Sequence, residues 1–322
     1  MLCRTANELY WMSRHIERAE NTARLIDLTQ RIALLPERFE RGAAGVTVWG
    51  KALEAFGIEK EYARLYGAVN AQKVLRFMIF DALNPSSIYS CLQSARESAR
   101  SQRGAITAEM YEDLNSSWLS IRALSWEQLV SDGLQVFLDR VKQRSASFRG
   151  ITIGTMGRDE AYHFLSLGTF IERADCTVRL LDIKYSVPGA GDKHEVRNAV
   201  DYYQWSSMLH AISAFETYRR IYKDTVRPKR VAELLILRED MPRSLVVCTV
   251  AIHNILSSLV HGERAEVVRQ AGALAAELRY GRIDAILEQG MQTYLDGYIE
   301  RLYLLADEVN REFMTSTDRI AA

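Results

Sequence analysis

Apolar residues recur at helical spacing along most of the chain, beginning near its start. Successive intervals of three and four residues place one set on a single side of a helix: Leu9, Met12, Ile16, Ala19, Ala23 and Ile26. Thr5 and Glu8 have the spacing of a capping box and predict where this helix begins. Similar patterns predict helices over 71–80, 86–112, 126–148, 159–185, 203–223, 244–260 and 264–306. Strand-like alternation is scarce and is best over 151–155, so the chain is predicted to be all-α.

The breaks between these segments are marked by Pro and Gly. Only five prolines occur, and each lies where a periodic segment begins or ends. The stretches 41–46 and 187–192 are rich in Gly with Ala or Pro, and we expect them to be loops. Ser87 and Ser244, each two residues after a proline, are expected to cap helices.

The chain aligns with itself at an offset of 155 to 157 residues. Residues 16–27 (IERAENTARLID) match residues 171–182 (IERADCTVRLLD), with eight of the twelve positions identical. The offset persists downstream, where Trp49 matches Trp205 and Cys91 matches Cys248. A steady offset indicates duplication. We therefore predict one domain over 1–322, a helical bundle whose two pseudo-two-fold-related repeats, 1–155 and 156–322, share one core.

Composition narrows the class of protein without indicating an activity. Lys plus Arg equals Asp plus Glu, at 41 each, so no net charge draws the chain towards nucleic acid or an anionic membrane. Charges occur throughout the first residues, unlike in a signal peptide, and no apolar run approaches the roughly 18 residues that cross a bilayer. We expect a cytoplasmic protein that contacts neither nucleic acid nor a membrane.

The two matching helices carry the charged residues of greatest interest. These positions recur in both copies: Glu17, Arg18, Arg24 and Asp27 in the first, and Glu172, Arg173, Arg179 and Asp182 in the second. Both helices also have apolar residues on more than one side, which is typical of a central helix, so these charges should be partly buried and paired. In one interpretation, Glu and Arg form reciprocal bidentate ion pairs that dock the two halves. In the other, the arginines hold a carboxylate or phosphate, and the acids orient them or bind a metal.

Evidence for other chemistry is weak. The six histidines lack metal-ligand spacing, and His does not follow Glu17 or Glu172 three residues on, so neither a metal nor a cofactor is expected. Cys91 and Cys248 lie shortly after predicted helix starts, where a thiol is either reactive or a small core residue. Phosphate-binding loops and nucleophile elbows do not occur in the sequence. The sequence therefore favours a protein without catalytic activity.

A second candidate for anion binding is one helix face. Arg96, Arg100 and Arg103 follow one another at intervals of four and three residues, close to Ser86 and Ser87. The alternative is a solvated face whose arginines pair with nearby acids: Glu97, Glu109 and Glu112. The second half lacks these arginines, so any function of this face belongs to the first half alone.

The motifs of the two long helices, together with NPSSI at 84–88 and ARESAR at 95–100, resemble those of the bacterial alpha-E family. The resemblance covers essentially the whole chain and implies an all-helical domain with Glu-Arg motifs; Cys3 and Ser13 look unusual for their positions. Family members look like companions of circularly permuted ATP-grasp proteins and transglutaminase-like peptidases. Some are fused to the ATP-grasp, and others are encoded beside a proteasome-related peptidase.

The resemblance implies an accessory or binding protein. It would act with an ATP-grasp type amide ligase, and with a transglutaminase-like or proteasome-related peptidase, in a peptide or amino-acid modification. A peptide or a carboxylate would be its ligand. Two alternatives stay open: an enzyme whose paired Glu and Arg act on a carboxylate- or phosphate-bearing substrate, and a purely structural scaffold.

Overall fold

The computed structural model describes residues 1–34, 44–185, 199–260 and 265–315. These residues form sixteen α-helices and no strand, so the all-α prediction is confirmed. In chain order the helices are α1 (Cys3–Ala33), α2 (Ala44–Ala55), α3 (Glu59–Tyr66), α4 (Ala71–Ile79), α5 (Ile88–Ser101), α6 (Ala108–Arg122), α7 (Trp126–Asp132), α8 (Leu134–Thr155), α9 (Glu160–Tyr185), α10 (Ala199–Ala211), α11 (Phe215–Tyr222), α12 (Pro228–Ile236), α13 (Leu245–Leu259), α14 (Ala265–Tyr280), α15 (Ile283–Gln289) and α16 (Met291–Phe313). Within them, no helix combines the length and the apolarity needed to cross a bilayer.

Several local predictions need correction. Residues 151–155, the best candidate for a strand, form the end of α8, where Phe148 and Thr152 are buried on one helical face. The capping box at Thr5 does not form: α1 begins at Cys3, and no side chain caps it. Of the two predicted loops, 187–192 and the beginning of 41–46 lie outside the described residues, whereas α2 already begins at Ala44.

The predicted helix caps of α5 and α13 are confirmed. The Ser90 backbone N–H donates to Ser87 Oγ at 3.0 Å, and the Val247 backbone N–H donates to Ser244 Oγ at 3.2 Å. Both hydroxyls thereby satisfy one of the N–H groups that a helix start leaves without a partner.

Helices α1 and α9 form the centre of the fold. They pack against each other and run in the same direction, since Ser13 lies against Gly168 and Glu17 pairs with Arg173 further along. Between residues 16 and 29 every residue of α1 except Arg18 is buried. Helix α1 also contacts α5, α8 and α10, while α9 contacts α13, α16 and α2. Burial on all sides explains why both sequences carry apolar residues on more than one face.

The two central helices approach most closely at Gly168. A Cβ at this position would overlap Ser13 Oγ and the Tyr10 carbonyl oxygen. Ser13 Oγ itself donates to that carbonyl at 3.0 Å, so the serine occupies the space that a larger residue of α9 would need. Glycine at 168 therefore sets the distance between the two helices that carry the Glu-Arg motifs.

Candidate functional site

The Glu-Arg motifs meet across the contact between α1 and α9. Arg18 Nε and Nη2 donate to the two carboxylate oxygens of Glu172 at 2.6 and 2.9 Å. In the same way, Arg173 Nε and Nη2 donate to the two carboxylate oxygens of Glu17 at 3.0 and 3.1 Å. The pairs are reciprocal and bidentate, which is the geometry that one interpretation of the sequence predicted.

Glu17 belongs to a larger set of charges, here called the Glu17–Glu20 cluster. Its members are Glu17, Glu20, Arg24, Arg149, Arg173 and Arg243. Arg149 Nη1 donates to Glu17 at 2.9 Å and to Glu20 at 2.5 Å, and Arg243 also bonds to both acids. Arg24 Nη2 and Nε both donate to Glu20 Oε1, at 2.7 and 2.9 Å. Four guanidinium groups against two carboxylates leave an excess of two positive charges.

These contacts keep both acids ionised although they are fully buried. Burial by itself would raise the pKa of Glu17, but Arg173, Arg243 and Arg149 outweigh it and the pKa is lowered. The pKa of Glu20 lies well below its ordinary value for the same reason, through Arg243, Arg24 and Arg149. Burial, together with the neighbouring Arg243, lowers the pKa of Arg24. The cluster therefore contains more positive charge than its own acids balance.

A second set of charges surrounds Glu172 and is here called the Glu172–Asp175 cluster. Its members are Glu172, Asp175, Arg14, Arg18 and Arg179. Arg14 Nε donates to Glu172 at 2.8 Å, next to the bidentate pair with Arg18. Despite burial, these two arginines lower the pKa of Glu172 to about 2. Arg179 pairs with Asp175 at 2.6 Å, and the Tyr303 hydroxyl donates to Asp175 at 2.7 Å.

Arg24 and Arg179 also reach the end of a helix from the other half of the chain. Arg24 Nη1 donates to the carbonyl oxygen of Ala211, the last residue of α10, at 2.5 Å. Arg179 Nη1 bonds to the carbonyl oxygen of Ala55, the last residue of α2. Cations near a helix C-terminus satisfy carbonyl groups that have no partner within the helix.

A cavity of about 130 Å³ adjoins the Glu17–Glu20 cluster. It lies between α1, α8 and α9 and is lined by Ser13, Phe148, Arg149, Thr152, Ile153, Tyr162, Leu165, Ser166, Thr169, Phe170 and Arg173. Arg149 and Arg173 are the two members of the cluster that line it. Their side chains are 26% and 11% exposed, against 1% and 0% for Glu17 and Glu20. The cationic part of the cluster, and not its acids, thus borders the cavity.

Both arginines that border the cavity retain unused hydrogen-bond donors. Arg149 bonds to its neighbours through Nη1 alone, which leaves Nε and Nη2. Arg173 uses Nε and Nη2 on Glu17, which leaves Nη1. Among the described residues these remaining N–H groups have no hydrogen-bond partner. A carboxylate entering the cavity would find donors and a local excess of positive charge.

The candidate residues named from the sequence do not lie together at one site. Arg24 and Arg173 belong to the Glu17–Glu20 cluster, and Arg18 and Arg179 to the Glu172–Asp175 cluster, so the four arginines do not form one pocket. In the second interpretation Asp27 and Asp182 were to orient these arginines or bind a metal, and the structure shows other partners for them: Asp27 accepts from Arg31 at 2.6 Å and from Lys142 at 3.3 Å, and Asp182 accepts from Gln292 at 2.6 Å.

The second candidate face has local partners. Arg96 donates to Asn115 at 3.2 Å and also bonds to Glu97, and Arg100 donates to Glu97 at 2.9 Å. Arg103 lies over the ring of Tyr111, 3.8 Å from its centroid. Of the three acids expected to pair with this face, only Glu97 does so among the described residues. Each of the three arginines thus contacts a neighbouring side chain, which agrees with the interpretation as a solvated face.

Cys91 and Cys248 have the surroundings of core residues. Cys91 and Cys248 are fully buried, and burial raises the pKa of each thiol to about 12. A thiol with so high a pKa is not a nucleophile at neutral pH, which favours the interpretation as small core residues. In the described parts of the chain, no group of three or more His, Cys, Asp or Glu side chains is arranged to hold a metal ion.

Sequence reasoning missed five members of the two clusters: Arg14, Glu20, Arg149, Asp175 and Arg243. Glu20 and Asp175 had a detectable signal, because they are repeat-equivalent acids four residues before Arg24 and Arg179. Arg149 and Arg243 had none, since their counterparts in the other half are Ala306 and Ser86. Only the packing of α8 against α1 and of α13 against α9 brings them to the cluster.

Taken together, the fold and these clusters define an all-α protein whose two central helices exchange Glu–Arg pairs. The chain belongs to the Alpha-E family, described as a predicted alpha-helical domain with a conserved ER motif, whose model matches residues 1–314. The comparison with curated proteins and the comparison with solved structures gave no match.

Proposed function

We propose that this protein is a non-catalytic binding protein that holds the carboxylate of its ligand in the cavity beside Arg149 and Arg173. One observation carries the proposal: the cluster has two more guanidinium groups than carboxylates, and the unused donors lie on the two arginines that line the cavity. Buried charges require partners, and a bound carboxylate would supply one.

The same geometry favours binding over catalysis. A general base works best when its pKa is near the operating pH and it reaches the substrate. Glu17 and Glu20 are buried behind the arginines, and their pKa values are lowered by them, so neither acid is suited to remove a proton. The enzyme with a paired Glu/Arg active site is therefore the less favoured alternative.

The partner proposed for this protein rests on the family resemblance alone. We propose that it acts with an ATP-grasp type amide ligase, and with a transglutaminase-like or proteasome-related peptidase, in a peptide or amino-acid modification in the bacterial cytoplasm. A ligase that forms an amide uses a carboxylate, which is the group that the cavity is suited to hold. Copurification of the ATP-grasp protein with the tagged chain tests this part separately from ligand binding.

We also propose that the fold arose by duplication, with its halves related by a pseudo-two-fold axis and sharing one core. Positive φ angles support this: Gly57 and Ser213 (63° and 57°), Gly67 and Lys223 (71° and 50°), and Gly133 and Gly290 (91° and 97°) are pairs at offsets of 156 or 157. Thr22 donates to the Ser86 carbonyl and Thr177 to the Arg243 carbonyl, at 3.1 and 2.8 Å. Equivalent backbone conformations and equivalent hydrogen bonds are what a duplicated unit retains.

The binding proposal is tested by calorimetric titration of the protein with acetate, against sodium chloride at the same ionic strength. Arg149→Gln removes the more exposed arginine while both acids keep other arginines. We expect it to weaken acetate binding about tenfold or more, because charge-assisted hydrogen bonds are worth roughly 1.5–3 kcal/mol.

Arg140→Gln on the same helix is the matched control. Arg140 is exposed, does not line this cavity, and makes no hydrogen bond or ion pair with the described residues, so this variant should bind acetate like the wild type. Wild-type protein that takes up no acetate, or equal losses in both variants, would show that the cavity is not a carboxylate site.

A further inference from the structure

The walls of the cavity beside Arg149 and Arg173 are apolar away from the two arginines. Phe148, Ile153, Leu165 and Phe170 contribute aromatic and aliphatic surface. The Arg173 guanidinium itself lies 5.5 Å from the centroid of the Phe170 ring, so charge and apolar wall are in direct contact. A ligand held here must place one anionic group at the arginines and apolar atoms elsewhere.

Three of the five hydroxyl groups in the lining are already engaged by carbonyl groups of the protein. Ser13 donates to the Tyr10 carbonyl at 3.0 Å, Thr152 to the Phe148 carbonyl at 2.8 Å and Thr169 to the Leu165 carbonyl at 3.1 Å. Each of these hydroxyl protons is used within its own helix. The hydroxyl groups of Tyr162 and Ser166 have no hydrogen bond to the described residues, but the charged donors in the lining all belong to the two arginines. This arrangement suits a planar carboxylate, whose two oxygens can accept parallel hydrogen bonds from an arginine.

The size of the cavity limits the apolar body of the ligand. Its volume of about 130 Å³ is close to that of an engineered apolar cavity of roughly 150 Å³ that binds benzene. About six carbon atoms would fill it. Ile153, whose side chain lines the cavity, is 62% exposed, so the cavity opens to the surface near the end of α8.

We infer that the cavity takes a small carboxylic acid whose body is a branched or aromatic apolar group. This inference rests on the proposed function and adds the class of ligand. The acid is either a free molecule or the carboxyl-terminal residue of a peptide, since the opening leaves room for a chain to continue outward.

The experiment compares the affinities of the whole protein for acetate, succinate, phosphate and 4-methylpentanoate. Each buried methylene group adds to binding, so 4-methylpentanoate should bind at least about tenfold more tightly than acetate and than the doubly charged succinate. Phosphate should bind more weakly than 4-methylpentanoate. If acetate and succinate bind as tightly as 4-methylpentanoate, the apolar class is wrong while the anion site stands. If none of the four binds, the proposed function fails as well.

Ser166→Leu locates the apolar part of the site. Ser166 lines the cavity, is partly exposed and has no hydrogen bond to the described residues, so a larger side chain fills the space without removing a contact. We expect this variant to keep acetate binding and to lose at least about tenfold in affinity for 4-methylpentanoate, with Ser166→Ala as the control. Unchanged binding of 4-methylpentanoate in Ser166→Leu would overturn the inference.

N-acetyl-leucine distinguishes the two sources of the carboxylate. It has the same branched body as 4-methylpentanoate and carries an amide where a peptide chain would continue. Binding as tight as that of 4-methylpentanoate identifies a peptide carboxyl terminus, and rejection of N-acetyl-leucine alone identifies a free acid.

Discussion

At the residue scale, the acids of the two clusters are outnumbered, and this makes the glutamates less replaceable than the arginines. Glu172 alone receives the bidentate contact from Arg18 and the contact from Arg14. Loss of Arg18 leaves Glu172 paired with Arg14. Loss of Glu172 leaves both arginines with no acid at that position. Removing a buried charge that pairs with several partners leaves all of them without compensation. It therefore costs more stability than removing one of those partners.

Glu172→Gln should therefore destabilise the protein more than Arg18→Ala. We expect a loss of about 3–5 kcal/mol for the glutamine variant, because it leaves buried charge without compensation. Arg18→Ala should cost less, roughly 1.5–3 kcal/mol, the worth of a charge-assisted hydrogen bond. Urea denaturation of the three proteins measures both values. A loss in Arg18→Ala equal to or above that in Glu172→Gln would contradict this account.

The difference in unfolding free energy between the wild type and Glu172→Gln should depend on pH. The pKa of Glu172 is about 2 in the folded protein, below its ordinary value of 4.5. A lowered pKa means that the stabilisation is complete above pH 4.5 and is lost as the pH falls towards 2. The difference in unfolding free energy between wild type and Glu172→Gln should shrink over that interval.

At the element scale, the long helices were predictable and the short breaks were not. The buried face of α1 has the spacing read from the sequence, and it is the longest of the helices. By contrast, 126–148 reads as one helix although Gly133, with φ of 91°, separates α7 from α8. When only one residue leaves the helical conformation, the apolar residues on either side of it keep nearly the same spacing of 3.6. The two helices then look like one continuous helix in the sequence.

Other predicted segments were also divided in the structure, and three short helices escaped detection. The segments 86–112, 203–223 and 264–306 each contain more than one helix. Helices α2, α3 and α12 have between eight and twelve residues and were not predicted. Their formation depends on packing against the rest of the bundle more than on local propensity. The close approach at Gly168 likewise follows from the pairing of helices and has no signature in the local sequence.

Gly168→Ala tests that close approach. The new Cβ would overlap Ser13 Oγ and the Tyr10 carbonyl, and backbone atoms cannot move aside cheaply. We expect a net loss of about 1–3 kcal/mol, even though alanine favours helix formation by up to about 1 kcal/mol over glycine. Thermal unfolding followed by circular dichroism gives the difference.

Gly150→Ala in α8 is the matched control. A Cβ there meets no atom within 4 Å, so this variant should gain roughly 0.5–1 kcal/mol from helix propensity alone. A Gly168→Ala protein that gained stability like the control would mean that α1 and α9 can separate without loss.

At the scale of the whole molecule, each half completes helix ends of the other. Arg24 from the first half binds the last carbonyl of α10, and Arg179 from the second half binds the last carbonyl of α2. The Glu–Arg pairs cross between the halves as well. Neither half contains all the partners of its own buried charges.

We therefore predict that the fragments 1–157 and 158–322 do not fold separately. Each alone would expose the apolar face of its central helix and leave buried arginines without acids. Circular dichroism should show little cooperative melting for either fragment and a restored transition when the two are mixed. A cooperative transition in one isolated fragment would show that it forms an independent domain.

The proposed duplication would not double the number of ligand sites in the molecule. The counterpart of Arg149 in the second half is Ala306, so the positive charge that borders the cavity occurs beside one cluster and is not repeated beside the other. The proposed stoichiometry is consequently one carboxylate per chain. Saturation should follow a simple hyperbola, with no cooperativity between the two halves.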